Sequence, residues 1–283
     1  MVLESIIFPM KAEKQPWEMF FIGLVYTSAA IFLSLWIFEK EASMVMVFFT
    51  VMAALPIIYN TLKLEEYKDM ELSNERLRLK QHSKAILIFL FLFLGMTVAF
   101  VFWYTVLPSS TVAFLFQKQA QTITSVNNQI AGNAVSQVTL FSKILLNNLK
   151  VLAFCILFSF IYGSGAIFIL TWNASVIATA IGNFIRTNIA HYALSVGSVN
   201  AFTYFQVISL GLLRYFIHGL PEIIAYIYGA LAGGIISVAV IRRHFQTKNF
   251  FSILIDVSDL LLIAIGFLVL AAFIEVYLTP KLF

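Results

Sequence analysis

Residues 17–38, WEMFFIGLVYTSAAIFLSLWIF, are apolar from end to end save for one acid at the entrance. As a helix, a run of that length crosses a hydrocarbon core of about 30 Å. Comparable runs follow at 43–62, 85–107, 149–172, 202–241 and 259–278. The stretch 202–241 is long enough for two crossings, with a break at His218-Gly219-Leu220-Pro221-Glu222. The pattern therefore predicts an all-α, polytopic transmembrane bundle of six to seven spans. Pro56, inside the second run, is tolerable because neighbouring helices can satisfy the carbonyl it frees. Pro108 and Pro280 close the third run and the last.

Between these runs lie three segments of different character. Residues 63–84, KLEEYKDMELSNERLRLKQHSK, are strongly charged, and acids precede bases by three at Glu65–Lys68 and Glu75–Arg78. A solvated helix standing off the membrane is expected there. Residues 109–142 are polar but almost uncharged, with Ile123, Val126, Ile130, Ala134, Val138 and Phe141 at helical spacing. This makes an amphipathic helix outside the bilayer. In 174–194, Thr179, Asn183, Arg186, Thr187 and Ala190 fall on one face, and Ile177, Ile181, Phe184, Ile185 and Ile189 on the others. That pattern suggests an amphipathic or re-entrant helix. The resulting division is a three-span region 1–108, an extracytoplasmic segment 109–142 and a membrane domain 143–283.

Composition sharpens the class: 61% of residues are hydrophobic, 11% are charged, and 29 of the 283 are phenylalanine. A net charge of +4 raises nucleic acid as a partner, but basic residues gather in the short loops of membrane proteins, so none is expected. Six bases lie in 63–84, and Arg242, Arg243, His244 and Lys248 form a second cluster. Placing both in the cytoplasm puts the N-terminus inside and 109–142 outside a cell membrane, in contact with its lipids. If 174–194 crossed, with 202–241 crossing twice, the second cluster would land on the wrong side; hence the re-entrant expectation. Cys155 stands alone, so no disulfide framework or paired-cysteine metal site is expected.

Candidate chemistry concentrates in the second half. In HGLPE, Gly219 suits a helix end and Pro221 the first turn of the next helix. His218, with Arg214 one turn earlier, and Glu222 would then sit where helix dipoles favour their charges. A capped turn between two spans explains this pattern. So does a pocket of ionisable groups at membrane depth, where such groups often mark a site. Glu275, in AAFIEVYLTP, either reaches the interface or pairs with Arg214 or His218. Asn147, Asn148 and Asn173 flank the fourth run as caps or interhelical hydrogen bonds, and Asn147 or Asn148 is a further expected partner for Glu222 and Glu275 inside the bundle. Gly163 and Gly165, and Gly229 with Gly233 and Gly234, mark close helix packing, and the stretch 229–234 could also form a homo-oligomeric contact such as a dimer. No Walker loop, HExxH pair or GxSxG elbow is present, and no cofactor or metal is expected.

Taken in order, these residues resemble the stage II sporulation protein M family. The double Asn leads into a glycine-containing span with Asn173 at its end. HGxxE follows at His218-Gly219 and Glu222, then a Gly-rich span, a basic loop, and IExxxTP with Glu275, Thr279 and Pro280. The resemblance covers residues 141–280. It implies a membrane scaffold that, in the family's namesake, holds peptidoglycan-degrading partners during engulfment; relatives also occur in organisms that form no spores, including archaea. The chain departs from the pattern at Leu220-Pro221 and at Ala174, where a glycine is usual.

Three functions compete on these grounds. A non-enzymatic scaffold would bind membrane or cell-envelope proteins through 109–142 or 63–84. A transporter or channel would use the polar residues around His218, Glu222 and Glu275. An intramembrane hydrolase would use His218 and Glu222, but no nucleophile or metal set accompanies them.

Overall fold

A computed structural model describes residues 14–71, 75–131, 136–159, 164–197, 200–241 and 250–282. Among these, every regular element is a helix. In order they are α1 (Glu18–Ile37), α2 (Ala42–Glu71), α3 (Glu75–Val106), α4 (Ser109–Leu115), α5 (Gln117–Ala131), α6 (Gln137–Ser159), α7 (Ser164–Val196), α8 (Ala201–Ile241) and α9 (Phe250–Phe273). A π turn (Ile274–Leu278) then leads into the short α10 (Thr279–Leu282). Seven helices, α1, α2, α3, α6, α7, α8 and α9, are long and apolar enough to cross a membrane. The protein is an all-α polytopic bundle, as its hydropathy predicts.

Side-chain contacts fix the relative directions of the helices. Gly23 of α1 faces Leu92 and Met96 of α3, and Trp103 further along α3 donates to Ser28 Oγ at 2.9 Å, so these two run parallel. Thr171 meets Met96 and Gly182 meets Tyr104, so α7 runs parallel to α3 as well. Gly211 packs on Phe184 and Gly219 approaches Ile177, which makes α8 antiparallel to α7. Tyr228 stacks on Phe267 with ring centres 6.0 Å apart, and α9 returns. The core follows this order, with Met46, Leu62, Phe89, Phe100, Ile167, Tyr226 and Leu268 sealed inside.

Three boundaries differ from those the sequence predicts. The apolar run 149–172 is not one span: α6 ends at Ser159 and α7 begins at Ser164. The segment 174–194 belongs to α7, a continuous helix of 33 residues, about 50 Å at 1.5 Å per residue and so ample to cross. Third, HGLPE does not break 202–241; α8 is one helix of 41 residues that passes through Pro221. Proline removes only one backbone bond, and helices packed around it inside a bundle make the loss tolerable.

Two of these differences offset each other. Making 174–194 a crossing and 202–241 a single crossing leaves the parity unchanged. The chain therefore leaves α8 at the end from which α3 starts; the second basic cluster, 242–248, lies outside the described residues. The charged stretch 63–84 is shared between the ends of α2 and α3, with 72–74 outside the described residues. Its Lys, Leu and Glu are strong helix formers that carry both helices beyond their apolar parts. The polar stretch 109–142 divides into α4, α5 and the first turns of α6.

This topology predicts a labelling result. An Ala193→Cys variant should react with an impermeant maleimide from the same membrane face as Lys118→Cys. A re-entrant 174–194 would expose Ala193→Cys from the other face.

Candidate functional site

Because α8 is unbroken, Arg214, His218, Glu222 and Tyr226 follow one another at four-residue intervals along one stripe of it. Tyr226 is fully buried, and its hydroxyl donates to Glu222 Oε1 at 2.7 Å. Glu275 enters from the π turn after α9, close enough for its carboxyl and that of Glu222 to act on one another. It also acts on Tyr226, as does Cys155 of α6. The site is thus a Glu222–Tyr226–Glu275 group where α6, α8 and the π turn meet. Single π turns inside helices recur at functional sites.

The basic residues go elsewhere. The Arg214 guanidinium lies 5.8 Å from the centre of the Phe184 ring on α7. His218 sits beside Tyr215, and its buried Nδ1 has no hydrogen-bond partner among the described residues. No ion pair joins Glu222 or Glu275 to a base among the described residues. The expected pairing of these glutamates with Arg214 or His218 is replaced by a tyrosine hydroxyl and a second carboxyl. The unbroken helix sets Arg214 two turns from Glu222, beside Phe184, and His218 lies beside Tyr215.

The amides separate too. Asn173 donates to the Ile169 carbonyl of its own helix at 2.8 Å. Asn147 is exposed and donates at 3.4 Å to Asn148 Oδ1, while Asn148 is only 4% exposed and its Nδ2 has no hydrogen-bond partner among the described residues. One turn on from Asn148, Leu152 meets Gly229 of α8, so Asn148 faces the level of Ala225 and Tyr226. Gly229, Gly233 and Gly234 are buried within the chain, with Leu152 against Gly229 and Leu62 against Gly234. They hold helices of one chain together and are not open to a second copy. Gly165 lies in the first turn of α7, and Gly163 is outside the described residues. No group of three His, Cys, Asp or Glu is placed to hold a metal ion among the described residues.

Several polar residues have structural roles that the sequence did not suggest. Arg186 donates to the carbonyls of Thr105 and Leu107 and to Ser109 Oγ, and lies 5.6 Å from the Tyr104 ring centre, capping the end of α3. A cation at a helix C-terminus satisfies orphan carbonyls and the dipole together. Gln119, fully buried, ties α5 to α2 and α7: it accepts from Ser43 Oγ at 2.8 Å and donates to Ser175 Oγ at 3.2 Å. Glu65 and His82 meet at 2.7 Å where α2 and α3 approach their shared end. Lys143 and Lys150 are exposed on α6, and Lys150 lies two positions from Leu152, which packs on Gly229 of α8 inside the bundle. The predicted run 149–172 had put Lys150 at its entrance. A lysine at a helix centre costs about 2.5–3.5 kcal/mol on insertion scales.

No solved structure matches the chain. An uncharacterized protein of Methanocaldococcus jannaschii is 29% identical over 164 residues, which cover 56% of this chain and 83% of that protein. The family model for stage II sporulation protein M matches residues 85–280. The match starts earlier than the motifs alone suggested and takes in α3, the helix that Arg186 caps. A multi-pass helical bundle, with the HGxxE and IExxxTP residues in place and a family match over most of its length, is a member of the stage II sporulation protein M family.

Proposed function

We propose that the protein is a scaffold in the cell membrane, with its N-terminus in the cytoplasm, that holds membrane or cell-envelope proteins without catalysis, metal or cofactor. The observation that carries this reading is the hydrogen bond that holds Glu222 to the fully buried Tyr226 within its own helix. At the same level of α8, the cavity between Phe93, Ile177, Gly219 and Ile223, lined by none of the three site residues, measures about 10 Å³. That is room for about one water. A small-molecule site is usually a concavity of about 300–1,000 Å³. Inside such a bundle the Glu222–Tyr226–Glu275 group serves as a joint between α6, α8 and α9.

Crosslinking in native membranes, followed by identification of what co-purifies, tests this. Protein partners in stoichiometric amount are expected, and they should be lost when 109–142 or 63–84 is replaced. Recovery of none would overturn the scaffold.

One observation favours transport as a second reading: two carboxyls adjoin within the bundle with no base facing them among the described residues. Membrane carboxyls without a cation are a common way to carry protons or cations. On that reading, liposomes containing the protein would show an ion flux that Glu222→Gln abolishes.

A further inference from the structure

Helix α6 is the least enclosed of the spans, with 17% of its apolar window buried. One face, with Asn148, Leu152 and Cys155, packs inward. The other face is exposed at Lys143, Asn147, Lys150, Phe154 and Leu157. These five positions alternate steps of four and three, the spacing of a left-handed coiled-coil seam. Phe154 and Phe158 stack at 5.8 Å and end the seam in an aromatic patch.

Seam spacing on an open face calls for another helix, and the charges say which kind. Lys143 and Lys150 have no acidic partner among the described residues. Their stems can snorkel only a few ångströms. Lys143 can reach a headgroup, but Lys150 is two turns deeper. A lipid phosphate therefore answers one lysine and not both. A second copy fails for a different reason. Parallel two-fold pairing along this seam sets Lys143 against Lys143 and Lys150 against Lys150. The occupant that satisfies depth, spacing and charge together is a membrane helix with Asp or Glu at matching depth.

We propose that the exposed seam of α6 is the docking surface for an acid-bearing transmembrane helix of another protein. This rests on the scaffold reading and names the chemistry of the partner it would hold. Phe154 and Leu157 supply the apolar half of the contact, and Asn147 fixes register, as a single polar seam residue does in coiled coils.

The test is a photocrosslinker attached at Ala153→Cys, beside the seam, with Val269→Cys on the exposed face of α9 as the control, both in native membranes. A protein adduct from Ala153→Cys alone is expected, its crosslinked peptide an apolar helix containing Asp or Glu. Lys143→Glu with Lys150→Glu should weaken that adduct by on the order of thirty-fold or more, as breaking a buried charge pair does. Lys143→Arg with Lys150→Arg should keep it. Because both lysines are exposed, Tm in detergent should stay unchanged, which separates lost docking from lost folding. An adduct of twice the chain's mass would overturn the proposal in favour of a second copy. Anionic phospholipid retained by the wild type and lost in the glutamate variant, with no protein adduct, would overturn it in favour of lipid. If partners co-purify yet the seam variants leave them in place, the docking site is wrong while the scaffold stands; if nothing co-purifies, both fall.

Discussion

Gly95→Val should prevent α1 from docking on α3 and leave a protein that unfolds readily in detergent. A Cβ at Gly95 would lie 2.0 Å from the carbonyl oxygen of Phe20, and one at Gly23 would lie 2.4 Å from that of Leu92. In both cases the obstacle is backbone, which cannot rotate away as a side chain does. Overpacking of a core usually costs about 1–3 kcal/mol, and more where nothing can yield. Small residues let membrane helices approach to backbone contact, and that contact replaces the hydrophobic drive that is missing in lipid. Gly266 supplies the control: nothing lies within 4 Å of its Cβ position, so Gly266→Val should leave thermal stability nearly unchanged. Thermal melts in one detergent, read by fluorescence, compare the two variants with the wild type directly. Equal melts for Gly95→Val and wild type would show that α1 and α3 do not cross there.

His82→Leu should destabilise the bundle by about 1–3 kcal/mol, the usual result of removing one partner of a buried hydrogen bond. Glu65 is 0% exposed and His82 1%, and the substitution takes away the nitrogen that meets the Glu65 carboxylate at 2.7 Å. Replacing both by leucine should recover much of the loss, because apolar pairs of similar volume often match buried ionic ones. A double-mutant cycle of melting measurements gives the coupling between the two positions. If His82→Leu and the double variant were equally unstable, the pair would not be what joins the ends of α2 and α3.

Hydropathy made the class of fold legible, because lipid demands long apolar helices and little else does. It could not place the ends of those helices. Residues 160–163, between α6 and α7 and outside the described residues, are as apolar in sequence as the spans on either side, so 149–172 looked continuous. Pro221 suggested a break in α8 that the bundle does not make, since a proline helix start and a proline within a packed helix look alike in sequence. Arg186 looked like the polar side of an interfacial helix. Its partners, the carbonyls of Thr105 and Leu107, are backbone atoms about eighty positions away that no side-chain pattern reveals.

For the site, the motif residues were visible but their partners were not. Opposite charges suggested that Glu222 and Glu275 would meet Arg214 or His218. Helical geometry instead gives Glu222 the hydroxyl of Tyr226, one turn on. Tyrosine among apolar residues carries no signal of its own, and Glu275 approaches only because α9 lies antiparallel to α8. Lys150 is the reverse case: the residue was plain, and its depth was hidden by the misplaced span.

The central claim is that the Glu222–Tyr226–Glu275 group is a sealed joint within the bundle. Its most direct test is labelling of Glu275→Cys and His218→Cys in intact membranes with a small, charged thiosulfonate, applied from each face in turn. No reaction is expected from either face, with full reaction only after the membrane is dissolved and the protein unfolded. Labelling of either position from one face of the intact membrane would reveal a water path to these carboxyls and contradict it.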